Sequence, residues 1–173
     1  MFKLIVILLY FIMVNSVSYS AGSSSNEVGK GGLEDESFLN VKNSNLKKGE
    51  DAINQAKKYA IKNKNAKSQK RFEDAIKYLL KANEDSPNNP DILNLLGYSY
   101  RKVNDFIMAE LYYNQGLKLD PKHVGINEYL GELYFQTNRL ELANQRLEVL
   151  RSCNCEEFEE LKEIIAGTKK SKY

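Results

Sequence analysis

The 173-residue chain carries 25 Lys and Arg against 23 Asp and Glu, a formal net charge of +2, and 42% of its residues are hydrophobic. That near-balance excludes a protein built mainly to coat nucleic acid, and the composition excludes collagen, coiled-coil and multi-span membrane classes. The length fits one domain.

Residues 1–20 read as an address. Met1-Phe2-Lys3 is a short cationic start, and Leu4 to Val14 is an unbroken apolar run of 11 residues. Asn15 to Ser20 is polar, with Ser18 and Ser20 at the −3 and −1 positions of a cleavage before Ala21. The pattern predicts a secretory signal peptide, because a helical span needs about 20 apolar residues. The mature chain is then exported, and Lys/Asn/Ile-rich composition points to an AT-rich bacterium and so to the periplasm. No Cys follows the apolar run, which argues against a lipoprotein. Residues 21–45 contain Gly22, Ser23, Ser24, Ser25, Gly29, Gly31 and Gly32 without periodicity, the composition of a flexible, disordered linker.

Residues 46–166 hold the core, and their charge is polarised. Residues 46–81 carry 11 basic and 4 acidic side chains, +7; residues 82–166 carry 8 and 15, −7. Leu46 to Asn65 reads as a Lys-rich amphipathic helix whose stripe is Ala52, Ile53, Ala56, Tyr59 and Ala60. Beyond it a period of 34 residues appears. Ala75, Ala109 and Ala143 share it, as do Phe72, Phe106 and Leu140, and Leu79, Tyr113 and Leu147. Gly97 recurs as Gly131, Leu96 as Leu130, Tyr100 as Tyr134, and Pro87 as Pro121. Such a period predicts pairs of antiparallel helices that stack because one pair cannot bury its own apolar face. Glu156 to Ala166, with Phe158, Leu161, Ile164 and Ile165 as its stripe, reads as a capping helix stopped by Gly167; residues 167–173 form a basic tail. The expectation is an all-α solenoid of about seven helices and no sheet.

These positions resemble the tetratricopeptide repeat family. Residues 90–123 carry Leu93, Leu96, Gly97, Tyr100, Phe106, Ala109, Tyr113, Gly116 and Pro121 at its signature positions. Residues 124–157 keep Leu130, Gly131, Tyr134, Leu140, Ala143, Leu147 and Leu150; residues 56–89 match only in Phe72, Ala75, Leu79, Ala82 and Pro87. The resemblance implies about three helix-turn-helix units between capping helices. It also implies a concave groove lined by the first helix of each pair. Carried across, the groove residues are Lys64 and Lys67, then Asn94, Tyr98, Arg101 and Lys102, then Glu128, Glu132, Phe135 and Gln136. A known subgroup grips a peptide carboxylate, but its positions here hold Ala60, Lys64, Leu95, Gly125 and Tyr129, so that clamp is not expected.

Little in the chain suggests chemistry. His123 is the only histidine and follows Pro121 in a turn, where it reads as a solvated residue. No cofactor and no metal site is expected. Cys153-Asn154-Cys155 leaves three readings open: an intrachain bridge pinning the turn, free or intermolecularly paired thiols, or part of a soft-metal site. The leading expectation is a non-enzymatic scaffold of the cell envelope that binds protein or peptide. Self-association through its opposite charges would be a further mode; no nucleic acid and no membrane contact is expected after signal removal. The alternative is a thiol-redox or metal-handling accessory using the cysteine pair.

Overall fold

The computed structural model describes residues 36–170, with side-chain environments from residue 44 on. The predicted signal peptide, residues 21–35 of the predicted linker and residues 171–173 of the tail lie outside the described residues. Seven helices follow, and no strand occurs among the described residues: α1 (Glu36–Ile61), α2 (Asn65–Asp85), α3 (Pro90–Lys102), α4 (Phe106–Leu119), α5 (Val124–Gln136), α6 (Leu140–Leu150) and α7 (Glu156–Ile165). The chain has an all-α repeat architecture. α1 starts at Glu36, ten residues before the expected Leu46, so residues 36–45 are helical rather than disordered linker. Asn45 belongs to the fold, donating its side-chain amide to Asp85 Oδ2 at 2.9 Å.

The helices form antiparallel pairs α1–α2, α3–α4 and α5–α6, with α7 packed on the last pair. First helices touch in the series α1–α3, α3–α5 and α5–α7, whereas α2, α4 and α6 make no contact with one another. The row of first helices therefore lies on the inside of the curve. Ala56, Ala75, Ala109 and Ala143 are wholly buried where helices cross closely. A Cβ on Gly97 would stand 2.5 Å from the Tyr113 ring, so glycine is what lets Tyr113 fill the crossing of α3 and α4.

Each first helix ends the same way. Asn63, Asn104 and Asn138 take left-handed backbone, with φ of 54°, 65° and 59°. Around each, the N–H of the asparagine bonds three residues back and the next N–H five back, as in Asn104 N to Arg101 O and Asp105 N to Tyr100 O. These are Schellman caps, and asparagine tolerates the left-handed position better than other side-chain-bearing residues. Gly167, φ 71°, ends α7 in the same manner. Side chains cap the starts of α3 and α4, where Asn89 accepts from Asp91 N–H and Asp105 from Met108 N–H, whereas α2 and α6 begin without a side-chain cap.

The first pair departs from the 34-residue register. Asn104 and Asn138 are 34 apart, but Asn63 precedes Asn104 by 41. The α1–α2 turn thus comes two helical turns early, and α2 has 21 residues against 14 in α4. The equivalent of Gly97 is Gly49, where a Cβ would meet Leu79. From that contact the α1–α2 hairpin runs seven residues further on each arm than α3–α4 does from its own, about 10 Å of helix.

Candidate functional site

The C-terminal ends of α3, α5 and α7 converge on one cavity of about 510 Å³. Lys102 contributes from α3 and Asn104 from the turn after it, and Phe135 and Gln136 from α5. Ile164 and the segment Gly167–Lys170 form the third wall. The left-handed Gly167 makes this wall: it turns the chain so that Thr168 and Lys169 N–H bond Glu163 O. Lys169 Nζ then lies 3.1 Å from Glu160 and 3.5 Å from Glu163.

Behind the cavity is a buried polar layer. Arg101 donates to Glu132 at 2.8 Å, joining α3 to α5. Tyr98 is 4% exposed, with Lys57, Arg101 and Lys102 all within 6 Å of its ring centroid. The ring also meets Phe72 edge-on at 5.8 Å and Tyr129 at 5.1 Å. Cations over aromatic faces recover part of the hydration they lose here. Burial still shifts their protonation. The Lys102 amine is lowered to about 7, first by burial and then by Arg101. Burial lowers Lys57 as well. Glu128 is raised to about 8, first by burial and then by the Glu132 carboxylate, with Glu160 and Glu157 of α7 adding to it.

The groove residues read from the sequence fall into separate places. Lys102, Phe135 and Gln136 line the cavity, with Arg101 and Glu132 at its back. Tyr98, Arg101, Glu128 and Glu132 are buried among the helices rather than open on a groove. Asn94 lies toward the other end of α3, its amide against Gly125. Lys64 and Lys67 are not on a first helix: Lys64 caps α2 and Lys67 lies in its first turn, both exposed. The early Asn63 cap is the cause. Lys169 and Lys170 had no groove signal in the sequence beyond a basic tail, and Lys57 none beyond a place on a Lys-rich helix.

His123 is a cap, not a free turn residue. Its Nδ1 accepts Ile126 N–H at 3.2 Å, so the ring proton sits on Nε2, 3.1 Å from Asp91 Oδ1. It occupies the place of Asn89, 34 residues earlier, and ties the starts of α3 and α5 together. Cys153 and Cys155 form a disulfide with Cα atoms 5.2 Å apart, around Asn154 at φ 51°. Cys155 immediately precedes α7. Among the described residues, no group of three His, Cys, Asp or Glu is arranged to hold a metal.

The geometry agrees with the comparisons. A tetratricopeptide repeat family model matches residues 90–123. No curated protein sequence matches the chain. The yeast Sti1 TPR2B domain, solved in a pHsp70 complex, superposes with a TM-score of 0.53 at 16% identity, covering 70% of this chain and 95% of that one. The second TPR domain of human RPAP3, solved with the HSP70 peptide SGPTIEEVD, gives 0.53 at 17% identity, covering 75% and 99%. The Arabidopsis OM64 TPR domain gives 0.51 at 12% identity, covering 72% and 99%. These likenesses concern the fold. Residues 90–123 thus match a tetratricopeptide repeat, and the helix pairs on either side give the chain the fold of tetratricopeptide repeat domains.

Proposed function

We propose that the chain is a non-enzymatic scaffold that binds a peptide or protein segment in the cavity between α3, α5 and α7. The observation that supports this is the lining: Phe135 and Ile164 offer apolar surface, while Lys102, Lys170, Asn104 and Gln136 offer polar and cationic groups. A pocket of several hundred Å³ with an apolar floor and a few placed polar groups suits a side chain or two of an extended segment. Peptide complexes of the Sti1 and RPAP3 domains show that the fold supports such binding elsewhere. A lysine whose amine is lowered to about 7 would regain its proton as an acidic group enters, so binding near neutral pH should take up protons.

Peptide-library selection followed by fluorescence anisotropy tests the reading. Selected peptides should lose at least about tenfold in affinity on Phe135→Ala and on Lys102→Glu, as truncation of an interface anchor does. Peptides that bind both variants as well as the parent would sink it. Placement in the cell envelope belongs to the same proposal and rests on the signal-like residues 1–20. Fractionation with N-terminal sequencing should find the chain outside the cytoplasm, beginning at Ala21.

The cysteine pair is better suited to fixing the α6–α7 turn than to thiol exchange. Glu156, Glu157 and Glu159 follow it, setting negative charge against the helix N-terminal field that would favour a thiolate.

A further inference from the structure

The tip of the α1–α2 hairpin forms a second surface, remote in the repeat row from the cavity wall made by α7. Between Lys57 and Arg71 the sequence has seven cations and no acidic residue. Along one helix these lysines would spread around the axis. The left-handed turn at Asn63 instead folds the segment back, so that the end of α1 and the start of α2 present them together. Lys58, Lys62, Lys64, Lys67 and Lys70 are all exposed. Tyr59 stands in their midst, with Lys67 Nζ 5.9 Å from its ring centroid. Shallow depressions of about 190 and 240 Å³ flank Tyr59, one walled by Lys58 and Lys62, the other by Lys67, Lys70 and Arg71. Arg71 shares its charge with Asp74 at 3.2 Å. At the end of α1, Ile61 is 65% exposed. The tip also belongs to the hairpin whose arms run two helical turns longer than those of α3–α4.

We infer that this tip docks end-on to an anionic lipid surface. Lysines near an anionic bilayer are attracted to it, and the attraction adds over residues. An amphipathic aromatic such as Tyr59 suits the headgroup layer, and an aliphatic residue beyond it can enter the acyl boundary. Ile61 decides between occupants. A soluble polyanion or an acidic protein loop uses the lysines but gains nothing from an isolated isoleucine held out at the tip. A single helix lying flat on a membrane needs an apolar face along its length. An end-on tip needs only its last residues. The surface is independent of peptide binding, since it uses none of the cavity residues.

Vesicle co-sedimentation of the full chain tests it, comparing phosphatidylcholine vesicles with and without phosphatidylglycerol. The quantity read is the phosphatidylglycerol-dependent increment, and comparing parent with variants separates the tip from residues 1–20, which carry Lys3. That increment should be at least about tenfold at low salt, fall as salt rises, and be lost in Lys62→Glu/Lys67→Glu/Lys70→Glu. Ile61→Ser should lower it severalfold with the charges intact. All these side chains are exposed, and unchanged helicity and Tm establish that the variants fold. Equal binding to both vesicle types, or an increment untouched by the triple variant, overturns the inference. So does inorganic polyphosphate competing fully while Ile61→Ser has no effect, which would assign the tip to a free polyanion.

Discussion

Arg101 and Glu132, 31 residues apart in sequence, form a 2.8 Å ion pair whose side chains are only 2% and 5% exposed. It is a bond between repeats, from the last turn of α3 to α5, and it forms the back wall of the cavity. A buried pair of this kind gains little over apolar packing, but removing one partner strands the other's charge. Arg101→Ala and Glu132→Ala should each cost about 3–5 kcal/mol in urea unfolding. Arg101→Met/Glu132→Leu should recover most of that loss. A double variant that simply adds the two single losses would show that the partners act independently.

Sequence patterning reaches the apolar frame more readily than the site. The 34-residue recurrence of Phe72 and Phe106, and of Ala75, Ala109 and Ala143, is legible because helix crossings demand the same size of side chain at each repeat. Charged residues give no such signal. Glu128 and Glu132 carry the composition of a solvated face, yet α7 and α3 cover them. The third cavity wall depends on one backbone angle at Gly167, which identifies a helix stop but not where the chain goes next. The first pair misleads for a related reason. Its second helix keeps the family positions, whereas its turn is set by Asn63 seven residues early, and this carries Lys64 and Lys67 off the groove.

The asparagine caps make a simple prediction. At Asn104, φ is 65°, so Asn104→Ala should cost about 1 kcal/mol, while Asn104→Gly should be nearly neutral. Asn138, with φ 59°, should respond alike in thermal unfolding. Equal losses for alanine and glycine at either site would mean that the asparagine side chain, not its backbone angle, is what matters.

The Cys153–Cys155 bridge closes a very short loop, with a sequence separation of 2. Loop-closure entropy gives it about 1–2 kcal/mol, far below a long-range staple. Cys153→Ser/Cys155→Ser should therefore fold and lose stability of that order. Intact mass of the parent should show the two-proton deficit of a bridge and resist alkylation until reduced. A double variant that abolishes peptide binding while keeping its Tm would instead give the cysteines a functional role.

Glu128 and Lys102 push the pH dependence of stability in opposite directions. Glu128 is raised from 4.5 to about 8, chiefly by burial and then by Glu132. The folded chain thus holds a proton that the unfolded chain releases, so this stability is complete below pH 4.5 and is lost as pH rises through about 8. Lys102 is lowered from 10.5 to about 7, so the unfolded chain binds the extra proton and stability grows from about pH 7 to 10.5. The charges around Glu128 come from its own helix (Glu132), from α7 (Glu157 and Glu160) and from Lys57 of α1. Glu128→Gln should flatten the decline between pH 5 and 8 by more than about 1 kcal/mol and leave stability at pH 4 close to the parent's. Lys102→Met should remove the rise between about pH 7 and 10.5, so that its gain over the parent is largest below pH 7 and fades toward pH 10.5. Urea unfolding across the pH range for the parent and both variants checks both signs. A Glu128→Gln profile parallel to the parent's would show that the carboxyl is ionised in the fold, with water or the Lys57 amine compensating it.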